Sequence, residues 1–251
     1  MKEKAETTRS DAMTGGEFGG WTEMKLLPGL TVVTGAAGPA FSDAVEARVT
    51  AIWDEAKAAR PELFNGRIFS ADRLMPGRIG GHWTDYRHAL AQMRDPLIFG
   101  DRPLRQLAVC GALRCADGFV MARRAASSLY LGGFWQSPPA GTVEARDGDD
   151  SVCLADQIAA EAEEELGLTR EDLEIGEPLL AVTHTGTHIV DIGIPLRTPL
   201  SGDEVRERVS ARGNGEYDRI AVISDAERRD WEGRRDVLPT TRKLGRILNC
   251  L

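Results

Sequence analysis

The order of patterns in the second half of this chain predicts an α/β fold, a mixed-sheet sandwich preceded by an α+β extension. Three observations carry that expectation. An apolar run at 107–114 meets a return run at 119–124 across Asp117-Gly118, a strong hairpin signal. A helical pattern with a carboxylate edge follows at 155–166. Three further extended runs then occupy 178–183, 188–194 and 219–223.

Taken in order, residues 1–20 are polar and Gly-rich with no apolar signal core, and read as a disordered tail. Residues 21–104 read as an α+β region. Short extended segments fill 21–36, clearest at 30–33. Ser42 is placed to cap a helix whose apolar stripe is Val45, Val49, Ile52, Trp53 and Ala56, and Pro61 ends it. A turn at 63–66, a strand at 67–70 and a short helix at 83–93 follow. Residues 105–238 form the sandwich, and 239–251 a C-terminal helix.

Composition narrows the function. A net charge of −8 argues against generic nucleic-acid binding. An acidic protein acting on an anionic substrate needs cations to bridge the two. Cys110, Cys115, Cys153 and Cys250 show no C-x-x-C spacing and read as reduced thiols of a cytoplasmic protein. No long apolar run suggests a membrane span.

The helix at 155–166 holds the main chemical signal. Glu161, Glu164 and Glu165 stand at i, i+3 and i+4, within an arc of about 100°. Ala155, Ile158, Ala159, Ala162 and Leu166 share the adjacent apolar arc, and Glu163 points away from both. Gly167 supplies a left-handed stop, with Leu168 folding back on the last turn. Close carboxylates raise one another's pKa, and clustered hard oxygens suit Mg²⁺. The alternative is a solvated acidic helix face.

Gly141-x-x-Glu144, followed by Ala160-Glu161-x-x-Glu164-Glu165-x-Gly167-Leu168, resembles the Nudix box of the Nudix hydrolase superfamily. That box reads G-x5-E-x7-R-E-U-x-E-E-x-G-U, with U a bulky aliphatic residue. This chain departs from it in four ways, one being that the bulky aliphatic position after Glu161 holds only Ala162. The span from Gly141 to Glu161 is about five residues longer, with 145–150 as the insertion. Ala160 stands where the family has arginine. The mid-box Glu has no clear counterpart, Asp149 and Asp150 being the residues of that region.

The resemblance implies a Nudix-like α/β/α sandwich over about residues 105–235. It implies Mg²⁺, or alternatively Mn²⁺, held by Glu161, Glu164, Glu165 and the backbone carbonyl of Ala140. Glu164 would ligate a second metal or orient water, and Glu216, favoured over Asp218 in the Gly-rich loop 213–218, would be the catalytic base. Arg123 and Arg124, ending a hairpin strand, are candidates for substrate phosphate. Trp135 and Trp83 are candidates to stack on a base or sugar, against the alternative of core packing. His184 and His188, with Asp191 nearby, lack the spacing of a zinc site.

The implied activity is hydrolysis of a diphosphate linking a nucleoside to another moiety. Leu63-Phe64-Asn65-Gly66 and Thr84-Asp85-Tyr86-Arg87 are similar to the N-terminal region of Nudix enzymes acting on UDP-sugars. Two rivals stand beside it: a Nudix-fold binding or regulatory domain without catalysis, and a Nudix enzyme for a non-nucleotide, prenyl-type diphosphate. The expected partner is a small diphosphate, with neither nucleic acid nor membrane; a homodimer is left open.

Overall fold

Two sheets divide the chain. The computed structural model describes residues 20–35, 37–128, 130–146 and 150–249; the expected tail before Gly20, and Asp149 and Cys250, lie outside these. The small sheet contains β2 (Thr31–Thr34), β3 (Arg67–Met75) and β4 (Arg78–Asp85), in the order β2-β4-β3. Helix α1 (Asp43–Ala59) is capped by Ser42, whose Oγ accepts from the Val45 amide, and it buries Val49 and Ala56. Helix α2 (Tyr86–Arg94) packs beside it.

The helix expected at 83–93 starts later. Trp83 lies in β4, where it pairs with Phe69 and meets its ring edge-on at 5.2 Å. Aromatic cross-strand pairing outweighs helical spacing there. The strand expected at 67–70 extends to Met75 for the same reason, since β4 pairs along its whole length.

The large sheet runs β1-β10-β11-β5-β6-β12. Its strands are β1 (Trp21–Lys25), β5 (Leu107–Cys115), β6 (Gly118–Arg124), β10 (Leu180–His184), β11 (Val190–Arg197) and β12 (Tyr217–Ile223), with short β7 (Trp135–Gln136), β8 (Ala140–Thr142) and β9 (Glu174–Ile175) attached to β6, β5 and β11. β11 and β5 are parallel, and the β5–β6 hairpin turns at Asp117 as expected. β1 pairs with β10, so the first strand belongs to the large sheet although it precedes the small one. The two sheets are joined where β3 meets the segment after β8: the Phe69 amide donates to Val143 O at 2.9 Å, and the Ala145 amide to Arg67 O at 2.9 Å.

Helix α3 (Leu154–Leu166) covers one face of the large sheet, burying Leu154, Ile158, Ala159, Ala162 and Leu166. Gly167, at φ 65°, stops it, and the Leu168 amide returns to Ala162 O at 3.1 Å. Leu166 and Leu168 are fully buried, each contributing about 1.5–3 kcal/mol by leaving water. Helix α4 (Gly202–Arg212), outside the sequence expectations, packs against α3. Its signal was Ser201-x-x-Glu204, a reciprocal capping box. Two short helices follow, α5 (Arg228–Glu232) and α6 (Pro239–Ile247), the latter on the opposite face against β5 and β11. No helix among the described residues is long and apolar enough to cross a membrane.

Candidate active site

β8 and α3 meet at one close approach. A Cβ built on Gly141 would lie 2.0 Å from the carboxyl carbon of Glu161, so the absence of a side chain here lets the Glu161 carboxyl rest on the strand. Glu161 Oε1 accepts a hydrogen bond from Gln157 Nε2 at 2.7 Å. Burial pushes the Glu161 carboxyl up to about 7; the Gln157 bond opposes this, while the charges of Glu164 and Glu144 add to it.

Glu165, one turn further, is buried. Its Oε2 accepts from the Ala140 amide at 3.0 Å and from the Tyr217 hydroxyl at 2.7 Å. Burial holds its pKa well above the usual carboxylate range, against the Tyr217 bond. Glu164 is exposed, and its backbone carbonyl anchors the Gly-rich loop through the Asn214 amide at 3.0 Å. Glu144 is exposed too; burial of its carboxyl followed by the charge of Glu164 raises its pKa. Its backbone amide donates to Gln157 Oε1 at 3.2 Å.

A cavity of about 620 Å³ opens beside these groups, lined among others by Glu161, Glu165, Arg124, Glu216, Tyr86 and Asp191. Arg124 pairs with Glu216 at 2.8 Å and donates to Tyr130 O at 3.0 Å. The small unit contributes Arg60 and Tyr86 to the wall.

Other candidates lie elsewhere. Arg123 is not among the cavity-lining residues and forks onto Asp218 at 2.7 and 2.8 Å. A register shift between Tyr217 and Arg219 separates the two neighbours on β12: Tyr217 reaches Glu165 while Asp218 reaches Arg123. Trp135 packs edge-on against Trp231 at 4.9 Å, and Trp83 against Phe69 at 5.2 Å; neither lines the cavity. Asp150 lies by the small sheet, 3.2 Å from Arg67, and its carbonyl accepts from the Trp83 indole. His184 stacks on Trp21 at 4.5 Å and bonds Thr187 at 2.7 Å, a local packing arrangement.

Ala160 leaves no arginine in the ridge, and neutral donors hold the carboxylates instead: Gln157 on Glu161 and Tyr217 on Glu165. Sequence reasoning missed both. Gln157 was visible as the i−4 neighbour of Glu161; Tyr217 comes from a strand 52 residues away. Among the described residues no three His, Cys, Asp or Glu side chains stand together as a ready metal-ligand set. The donors that remain are the carboxylates of Glu161 and Glu165 on one helix edge and the exposed carboxylates of Glu164 and Glu144, hard oxygens whose chemistry suits Mg²⁺ or Mn²⁺.

No family model matches the chain, and no curated protein matches it in sequence. The similar solved structures include Nudix hydrolases. One from M. smegmatis is 17% identical over 58% of this chain and 84% of that one, with a TM-score of 0.41. A NUDIX-family hydrolase from Clostridium perfringens is 14% identical over 59% and 98%, with a TM-score of 0.39. An ADP-ribose pyrophosphatase from Streptococcus suis is 14% identical over 58% and 89%, with a TM-score of 0.33.

Proposed function

We propose that this protein is a Nudix-type pyrophosphohydrolase that cleaves the diphosphate linkage between a nucleoside and another moiety, with a UDP-sugar-like compound as substrate. The observation that carries the reading is the pair Glu161 and Glu165, one helical turn apart, lining a cavity that also holds Arg124. Residues 105–238 carry the chemistry in this reading, and residues 21–104 supply the Arg60 and Tyr86 wall.

Glu161 and Glu165 would hold Mg²⁺, with the exposed Glu164 and the Ala140 carbonyl as further donors. The ion would supply phosphoryl polarisation and acidify bound water. Gln157 and Tyr217 orient the two carboxylates. Glu216, placed in the cavity by Arg124, accepts a proton from the attacking water. Arg124 keeps Glu216 in place through Nη2 and would offer a remaining guanidinium N–H to a phosphate oxygen.

Ala160 and the neutral donors around the ridge favour a second reading, a binding domain that retains a diphosphate site without turnover. A panel of nucleoside diphosphate sugars, dinucleoside polyphosphates and prenyl diphosphates, assayed with Mg²⁺ and Mn²⁺ for released nucleotide or phosphate, separates the two. Metal-dependent release from a nucleotide substrate supports hydrolysis. Binding without release under every metal supports the second reading.

A further inference from the structure

Asp191 has no part in the chemistry above, yet it lines the same cavity. It lies on β11 between β10 and β5, in the interior of the large sheet. Its Oδ2 accepts from Thr240 Oγ1 at 2.7 Å, which ties α6 to the sheet. Among the described residues no Lys, Arg or His forms an ion pair with it; Arg124, whose charge eases its ionisation, is paired with Glu216. Burial raises the Asp191 carboxyl to about 6, opposed by the Thr240 bond and then by the Arg124 charge. Asp191 is half-buried and faces the cavity, so a ligand that covers its carboxylate without giving it a donor is costly.

The register gives its position. Asp191 pairs with Ala108 on β5, and Ala108 pairs with Thr142 on β8. Cross-strand partners share a face of the sheet. Gly141, on which Glu161 packs, pairs with Val109 and faces α3, whereas Asp191 shares the other face with Thr142 and with Thr240 of α6, two strand spacings, about 10 Å, from β8. The cavity of about 620 Å³ is lined by both carboxylates, Glu161 at the ridge and Asp191 beyond it. Tyr130, Ile189, Leu238 and Cys110 also line the cavity, giving apolar surface next to one charged acceptor. Burial, followed by the Asp191 charge, holds the Tyr130 phenol well above its ordinary value, so it remains a neutral hydroxyl.

We propose that Asp191 selects substrates whose non-reacting group carries hydroxyl or N–H donors, a sugar or nucleoside rather than a prenyl chain, by accepting a hydrogen bond from that group. This rests on the proposed diphosphate site and names its specificity. A prenyl chain would bury the carboxylate without a donor, whereas a hydroxylated ring would satisfy it and use the apolar wall.

The test compares parent and Asp191→Asn on UDP-glucose, ADP-ribose, geranyl diphosphate and inorganic pyrophosphate. Turnover is read with Mg²⁺, and binding by calorimetry with Ca²⁺ in its place. Asparagine can still accept from Thr240. The variant should lose about 10- to 100-fold in kcat/KM, or in association constant, on UDP-glucose or ADP-ribose. Pyrophosphate should change by less than about 2-fold, the level of a substitution that loses no bond, and geranyl diphosphate should gain or stay level, since the amide costs less to bury than the carboxylate. Thr240→Val removes the tether and keeps the carboxylate; it should lower thermal stability and leave discrimination between probes intact. Equal losses on all probes, no loss on either hydroxylated probe, or failure of the parent to bind either of them would overturn the proposal. Asp191-dependent binding without turnover would refute the hydrolase reading and leave this one standing.

Discussion

Tyr217 donates its hydroxyl hydrogen to Glu165 Oε2 at 2.7 Å, and Gln136 Nε2 donates to the same hydroxyl oxygen at 2.8 Å. A strand residue thus orients a helix carboxylate, and a second strand residue orients the phenol. Burial, then the charge of Glu165, holds the Tyr217 pKa well above its usual value, so the phenol stays a donor at every working pH. The relay occupies the Glu165 end of the ridge.

Tyr217→Phe removes the shared hydroxyl and leaves Gln136 and Glu165 each short of a partner. Unfolding by urea at neutral pH should show a loss of about 1–3 kcal/mol, the cost of unsatisfied buried polar groups. Parent-like stability would show that the relay is dispensable to the fold.

Glu165→Gln keeps the shape of the side chain and an oxygen for Tyr217, but removes the charge. Turnover on the best substrate of the panel should fall at least about 100-fold, as perturbing a metal site does. Glu163 is exposed on the other side of α3, and Glu163→Gln should stay within about 2-fold, as surface changes usually do. Equal activity in Glu165→Gln and parent would remove Glu165 from the mechanism.

Glu161 gives a pH signature in metal-free protein. Its folded pKa of about 7 lies above the ordinary 4.5, so the folded state binds the extra proton between those values. Stability from this group is fully present below about pH 4.5 and is lost as pH rises through 7. Glu161→Gln should therefore melt higher than parent at pH 8 in EDTA, with the gap closing towards pH 5. Added Mg²⁺ at pH 8 should raise the melting temperature of parent and not of the variant. A gap independent of pH would place the Glu161 titration elsewhere.

Ala160→Arg tests whether the ridge lacks its cation. Gln157 already holds Glu161 at 2.7 Å, and Arg146, hydrogen-bonded to Asp156 O at 3.0 Å, adds a small opposing charge. The new arginine should leave Mg²⁺ affinity unchanged or weaken it, while Gln157→Ala should weaken it clearly. Calorimetric titration of both variants decides the point; tighter Mg²⁺ binding by Ala160→Arg would mean that Gln157 is a poor substitute.

The sequence was sufficient for the features set by local spacing. The three glutamates on one helix edge, the glycine stop at Gly167, the hairpin at Asp117-Gly118 and the Ser42 cap follow from helical period and turn chemistry, which act within a few residues. Tertiary structure alone decided which polar groups meet. Tyr217 reaches Glu165 across 52 positions, Asp191 reaches Thr240 across 49, and Trp83 joins a strand because Phe69 stands opposite it. A bulge in β12 also decided that Arg123 faces Asp218 while Arg124 turns to the cavity with Glu216. Such pairings depend on strand order and register, and those are set by the summed burial of apolar residues far apart in the chain, which no local window contains.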